Sequence, residues 1–303
     1  MVIFKISLNF VKFKNREYMI SEAQFQKEID IIIANALRED VGDGDHSSLA
    51  CIPKDAKGEA KLLVKEDCII AGLDFAKQVF QHIDGNSEID FKAKDGDALK
   101  VGDIAFTLKS NSQSILKGER LVLNAMQRMS AIATKTKAFT DVLEGTKTKI
   151  LDTRKTTPGF RALEKWAVKI GGGVNHRFAL YDMIMLKDNH IDFAGGVDQA
   201  IQKTQAYLKQ NNLDLKIIVE ARDINEIQKI IQHNGIHRIL IDNFSFEDTC
   251  KAVQLIGDFC ETESSGGITL SSARDYADCG VDYISSGALT HSVYNVDLSL
   301  KAI

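Results

Sequence analysis

From about residue 148 onward the chain settles into a rhythm that few folds accommodate. Short apolar strands, KILDT, DMIMLK, KIIVEA, RILIDN, DFCETES and DYISSG, alternate with helix-length segments. That alternation is the signature of a parallel α/β sheet or barrel, because parallel neighbours need a long crossover and a helix supplies it. Six strands can be counted, two short of the eight that close a full barrel. The predicted fold is therefore α/β, an incomplete, about six-stranded α/β barrel. Three consecutive units repeat one plan: a strand, a polar N-cap candidate (Asp223, Ser245, Thr269), an amphipathic helix, and a stop at a glycine (Gly235, Gly257, Gly280).

The preceding part has a different texture. From Ser21 a helix is expected, with Phe25, Ile29, Ile32, Ile33, Ala36 and Leu37 at helical spacing. Short strand candidates follow (GEAKLLVKE, DCIIAG, DIAFTLKS), punctuated by Gly58, Gly72, Gly85, Gly96 and Gly102, which points to a mixed sheet carrying helices. The helix GERLVLNAMQRMSAIATKTKAFTDVLEG separates the two textures. The expected division is an N-terminal domain over 19–122, a barrel over 123–290, and a tail, 291–303, that packs back on the first domain. Residues 1–18, which alternate apolar residues with lysines, are expected to be a leader or extension rather than a signal peptide.

At 303 residues and 44% apolar, the chain can bury substantial cores in both parts. A net charge of −4 gives no field to attract nucleic acid. No apolar run approaches the roughly 20 residues of a membrane span. The five cysteines are scattered, without a C-x-x-C pair, which argues against zinc and against a disulfide framework and favours a reduced, cytoplasmic setting.

In a barrel the C-terminal strand ends converge on one face, and this chain concentrates its unusual residues there. Arg154 and Lys155 follow the first strand, Lys187 the second; Glu220 ends the third and Asp242 the fourth. Ser265, Gly266 and Gly267 follow the fifth strand, Ser286 and Gly287 the sixth. One acid at a strand end is ordinarily a helix cap or solvated loop residue, but repetition at equivalent ends points to a site. Single S-G-G or S-x-G turns are ordinary loops; side by side after the last two strands they lie where barrels bind phosphate, glycine letting backbone N–H groups approach an anion. Arg154, Lys155, His176, Arg177 and Lys187 form a basic group in a stretch otherwise glycine-rich and apolar, which predicts a small polyanionic ligand. His176 fits either a ligand role or a satisfied core position. His190 borders the site, and His46 reads as a loop residue.

The runs DTRKTTPGFRALEKWAVKIGGGVNHR and MIMLKDNHI, with EDVGDGDHSS near the start and ISSGALTHSV near the end, resemble the quinolinate phosphoribosyltransferase family, in the family's order. The resemblance implies an N-terminal α/β sandwich before the barrel, and a homodimer in which Arg120 reaches the partner's active site. It implies transfer of phosphoribose from 5-phosphoribosyl 1-pyrophosphate to quinolinate with magnesium, yielding nicotinate mononucleotide, pyrophosphate and carbon dioxide, a step of de novo NAD biosynthesis. Arg154, His176, Arg177 and Lys187, with Arg120 of the other subunit, would bind quinolinate. Lys155 and Lys187 would face pyrophosphate, Glu220 and Asp242 the ribose or magnesium, and the two glycine turns the 5-phosphate. Thr262 and Ser264 depart from the more apolar residues expected before the phosphate turn. Competing readings are a relative acting on another base, and a sensor that keeps the fold without turnover.

Overall fold

The structure, a computed structural model, describes residues 20–303; the expected leader over 1–18 lies outside them. Ser21 caps α1 (Glu22–Val41) by accepting the Gln24 N–H at 3.2 Å. Ile29, Ile32 and Ile33 form its buried stripe, as their spacing predicts. Next come α2 (His46–Cys51), β1 (Lys57–Val64), β2 (Cys68–Ile69), α3 (Leu73–Ile83), β3 (Glu88–Phe91), β4 (Ala98–Leu99) and β5 (Ile104–Asn111). The strands β1, β3 and β5 join β12 (Leu298–Ala302) in an antiparallel sheet ordered β12-β1-β5-β3. The tail thus returns to the first domain as a strand, burying Leu298 and Leu300 on alternate positions.

One long helix, α4 (Ser112–Val142, 31 residues), connects the two halves. It begins six residues before Gly118, because the Asn111 side chain accepts the N–H groups of Gln113 and Ser114 and turns β5 directly into helix. Its first half packs on α3 and its second half on α5 (Arg161–Ile170). Arg128 locks the junction: Nε meets the buried Glu164 carboxylate at 2.6 Å, and Nη2 donates to the Thr290 carbonyl at 2.7 Å.

The barrel half continues with β6 (Lys149–Leu151), β7 (Ile184–Leu186), α6 (Asp188–Ala194), α7 (Val197–Asn211), β8 (Ile217–Ala221) and α8 (Ile224–Ile230). It ends with β9 (Arg238–Asp242), α9 (Phe246–Ile256), β10 (Glu261–Ser265), α10 (Ala273–Asp278), β11 (Tyr283–Ser285) and α11 (Ala288–His291). Six parallel strands run in the order β6-β11-β10-β9-β8-β7, the six expected from sequence. The sheet is open between β6 and β7, where Val174 makes a single parallel bridge to Leu151.

The register decides which side chains face the interior. Glu220, Leu240, Glu263 and Tyr283 align across β8 to β11, with Ile218, Arg238 and Glu261 in the row below. Because side chains alternate faces, the neighbouring row of Val219, Ile239 and Thr262 points outward to the helices. Burial agrees: Val219 and Ile239 belong to the main core, whereas Met183, Met185, Ile218 and Leu240 form a separate apolar cluster.

Some expectations need correcting. Asp223 and Ser245 do cap α8 and α9, but Ser272 rather than Thr269 precedes α10, since a turn through Thr269–Ser272 delays the helix. The cysteines also contradict the sequence reading. Cys250 on α9 and Cys279 at the end of α10 form a disulfide with a Cα separation of 4.6 Å. Residues 29 apart meet because successive βα units lay their helices side by side, which linear spacing conceals.

At Gly118 helix propensity and packing oppose one another. A Cβ there would lie 2.7 Å from Phe80 Cε1 and 3.1 Å from Ile83 Cδ1. Alanine gains about 1 kcal/mol of helix propensity, but overpacking costs roughly 1–3 kcal/mol. Gly118→Ala is therefore expected to lower the thermal midpoint; an unchanged or raised midpoint in a melting experiment contradicts this packing.

Candidate active site

A cavity of about 800 Å³ opens at the C-terminal ends of the barrel strands. Of the residues singled out from sequence, Arg154, Lys155, His176, Arg177, Lys187, Glu220, Asp242, Ser265, Gly266, Gly267, Ser286 and Gly287 all line it. Arg120 does not. It is exposed on α4, outside the cavity of its own chain. His190 borders the site without lining it, its Nδ1 accepting the Lys187 N–H at 3.0 Å at the start of α6. His46 stands exposed at the start of α2 rather than in a loop, 3.6 Å from Asp43.

The basic wall is held by Asp152, a fully buried residue just beyond β6 that the sequence reading passed over. Its carboxylate accepts from Lys165 Nζ at 2.5 Å, Asn175 Nδ2 at 2.6 Å and the His176 N–H at 2.8 Å. Lys165 also donates to the His176 carbonyl at 3.0 Å. This fixes the segment beside the open edge and delivers His176 and Arg177 to the cavity. The Arg177 N–H donates to His176 Nδ1 at 2.6 Å, and its guanidinium donates to the Met183 carbonyl at 3.0 Å. Burial, then the nearby Arg154, lowers the Arg177 pKa from its ordinary value, yet an arginine stays charged at any physiological pH. An anion would relieve that crowding of positive charge.

Opposite lie the acids. Glu220 is 5% exposed, accepts the Asp188 N–H at 3.1 Å and sits 3.7 Å from Lys187 Nζ. Burial pushes its carboxyl up, against the pull of the Asp188 N–H and Lys187, and Asp242 adds to the rise. Glu263, also absent from the sequence reading, lies on the cavity wall with no exposure. Burial pushes this carboxyl up too, but His176 and Arg238 outweigh it and hold it down at about 2. The available signal was the alternation Glu261-Glu263-Ser265 on β10, which puts all three on the face that ends in the phosphate turn.

Gly266 has φ +100°, and a Cβ there would lie 2.8 Å from the Asn243 nitrogen, so only glycine fits. At Gly287 a Cβ would meet Lys155 Cδ at 2.7 Å; its absence lets that lysine lie across the turn. Ser286 shapes this loop, its hydroxyl donating to the Ile268 carbonyl at 3.1 Å. Thr262 and Ser264 face outward, away from the cavity, and Thr262 is bound to Asp282 by its N–H and hydroxyl, each at 2.9 Å. The cavity thus has a cationic side, an anionic side and a glycine-lined floor, an arrangement suited to a small molecule bearing several acids and a phosphorylated polyol.

Residues 45–130 match the N-terminal domain of quinolinate phosphoribosyl transferase, and 132–301 its C-terminal domain. The chain is 44% identical over 285 residues to quinolinate phosphoribosyltransferase [decarboxylating] 1b of Nicotiana tabacum, spanning 89% of this chain and 81% of that protein. It is 41% identical to the probable nicotinate-nucleotide pyrophosphorylase [carboxylating] of Bacillus subtilis, over 86% of this chain and 89% of the relative. The crystal structure of NadC from Streptococcus pyogenes superposes with a TM-score of 0.85 at 36% identity, covering 94% of this chain and 99% of that one. With both domains matched along most of its length, the chain belongs to the quinolinate phosphoribosyl transferase family.

Proposed function

We propose that the protein is the decarboxylating quinolinate phosphoribosyltransferase of de novo NAD biosynthesis, converting quinolinate and 5-phosphoribosyl 1-pyrophosphate to nicotinate mononucleotide, pyrophosphate and carbon dioxide. The single observation that carries this is the division of one cavity between a cationic wall and a pair of strand-end carboxylates. Arg154, Arg177 and Lys187 grip the two carboxylates of quinolinate, with His176 beside them. They hold its ring nitrogen toward the sugar, so that the reaction gains from orientation.

As the bond from the anomeric carbon to pyrophosphate breaks, positive charge grows on the ribose. Glu220 and Asp242 stabilise it, while Lys155 and Lys187 meet the charge growing on the departing oxygens. The backbone of Ser265-Gly266-Gly267 and Ser286-Gly287 holds the 5-phosphate. Once ribosylated, the ring nitrogen is positive. The bond to the adjacent carboxylate can then break, its electron pair stabilised beside that nitrogen, and a proton takes the place of the lost carbon dioxide.

Magnesium is the proposed cofactor. Among the described residues no trio of His, Cys, Asp or Glu forms a ready-made metal cage. Two carboxylates lining a cavity that takes pyrophosphate nonetheless fit an ion that prefers few protein ligands plus phosphate oxygens and water. Glu220 and Asp242 would hold it, and it would neutralise charge on the pyrophosphate. The functional unit is a homodimer in which Arg120 of the partner subunit completes each cavity; its exposed position on α4 leaves it free for that role. A cytoplasmic location belongs to the same proposal, with the exposed free thiol of Cys51 in its favour and the Cys250–Cys279 disulfide against it.

Incubation of the protein with quinolinate, 5-phosphoribosyl 1-pyrophosphate and magnesium should consume quinolinate and release carbon dioxide in equal amounts. Equal use of nicotinate, or binding without turnover, contradicts the assignment. Arg177→Ala should raise the quinolinate KM about 30-fold, the equivalent of about 2 kcal/mol, and the pyrophosphate donor's KM far less. Steady-state kinetics with each substrate varied read this directly, and the reverse order would reassign Arg177 to the sugar. Arg120→Ala and Glu220→Ala subunits, each inactive, should regain activity when mixed, because one of the two sites in a hybrid dimer carries neither lesion. No recovery after verified subunit exchange contradicts the shared site.

A further inference from the structure

We propose that Glu263 is a positioning residue for the diacid substrate: anchored by Arg238 on β9, it fixes the His176 imidazole, which in turn fixes Arg177. This rests on the quinolinate reading above and adds to it a residue that the sugar-side assignment does not use.

The chain of contacts is continuous. Arg238 is almost fully buried, donates from Nη1 to Glu263 Oε2 at 2.8 Å, and is itself held by Glu261 at 2.7 Å and by the Tyr283 ring, 4.0 Å below its guanidinium. His176 Nε2 lies 3.3 Å from the same Glu263 oxygen. The ring's other nitrogen, Nδ1, accepts the Arg177 N–H at 2.6 Å, so the imidazole proton sits on Nε2 and faces the carboxylate. The His176 backbone is tied at both ends, its N–H to Asp152 and its carbonyl to Lys165. Rotation of the ring is the freedom left. A flipped ring would turn a C–H toward Glu263 and leave the Arg177 N–H without its acceptor.

Glu263 Oε1 is buried without a hydrogen-bond partner among the described residues, and His176 Nε2 meets Glu263 Oε2 as a close contact at 3.3 Å rather than an aligned hydrogen bond; both side chains line the cavity. An ionised carboxylate only accepts hydrogen bonds, so Oε1 does not pair with the diacid itself, and Glu263 acts on it through His176. The fixed negative charge of Glu263 also leaves the arginine wall as the place where a diacid can settle.

Glu263→Leu tests this, since leucine fills similar space without an acceptor. The expected result is a quinolinate KM raised about tenfold or more, with kcat and the KM for 5-phosphoribosyl 1-pyrophosphate within about threefold of wild type. Glu263→Gln, which keeps one acceptor oxygen, should recover part of the loss and give a rise of about threefold. In a His176→Asn background the leucine variant should add less than about twofold, because its effect passes through the imidazole. If Glu263→Leu does not fold, the glutamine variant carries the same comparison. Equal rises in both substrates' KM, full additivity in the His176→Asn background, or an unchanged quinolinate KM in the glutamine variant would overturn the proposal. Wild-type turnover of quinolinate is measured first, so failure of the functional assignment is seen separately from failure of this role.

Discussion

The candidate site depends on the buried carboxylate of Asp152. It lies where β6 ends, and it gathers the Lys165 ammonium, the Asn175 amide and the His176 N–H around two oxygens. An isolated buried lysine or aspartate would be expensive; here each supplies the charge that the other needs. Burial still pulls the Lys165 pKa down from its ordinary value, while Asp152 opposes that pull. Removing either partner would strand a charge beneath the segment that carries His176 and Arg177. The open edge of the barrel is therefore a rigid shelf for the basic wall.

The interior follows the same logic of internal compensation. A six-stranded barrel is too small to admit bulk water to its interior rows, yet this one buries Arg238 and Glu263 there, with the half-exposed Glu261 beside them. Salt bridges among them, with Tyr283 stacked on the arginine, make those charges tolerable. In the same row as Glu263, Glu220 has no arginine beside it, and burial pushes its carboxyl up. The arginine-paired Glu263 and the Glu220 carboxyl beside Lys187 divide the anionic side into a structural part and a part that faces the ligand.

Much of this was legible in the sequence, because strand ends are physically privileged. Once six parallel strands are recognised, the residues after each must share one face, and Arg154, Lys187, Glu220, Asp242 and the two glycine turns followed. What stayed hidden depends on pairing across distance. Asp152 and Glu263 look like ordinary strand residues until the register turns one toward Lys165 and the other toward His176 and Arg238. The disulfide between Cys250 and Cys279 was misread because linear spacing says nothing about helices stacked side by side. Strand β12, though five residues long, declares itself only by pairing with β1 at the far end of the chain. Arg120 shows the opposite limit: its own chain gives it no contact with the cavity, and only family resemblance drew attention to it.

The central claim is that one cavity holds a diacid on its arginine side and an activated, phosphorylated sugar on its carboxylate side. A crystal structure with phthalate, a 1,2-dicarboxylate that lacks the ring nitrogen and cannot be ribosylated, together with 5-phosphoribosyl 1-pyrophosphate and magnesium, tests it most directly. Both phthalate carboxylates should lie against Arg154, Arg177 and Lys187, with the 5-phosphate over Gly266 and Gly267 and the ribose between Glu220 and Asp242. Phthalate bound outside the cavity, or with its carboxylates turned toward Glu220 and Asp242, would contradict the account.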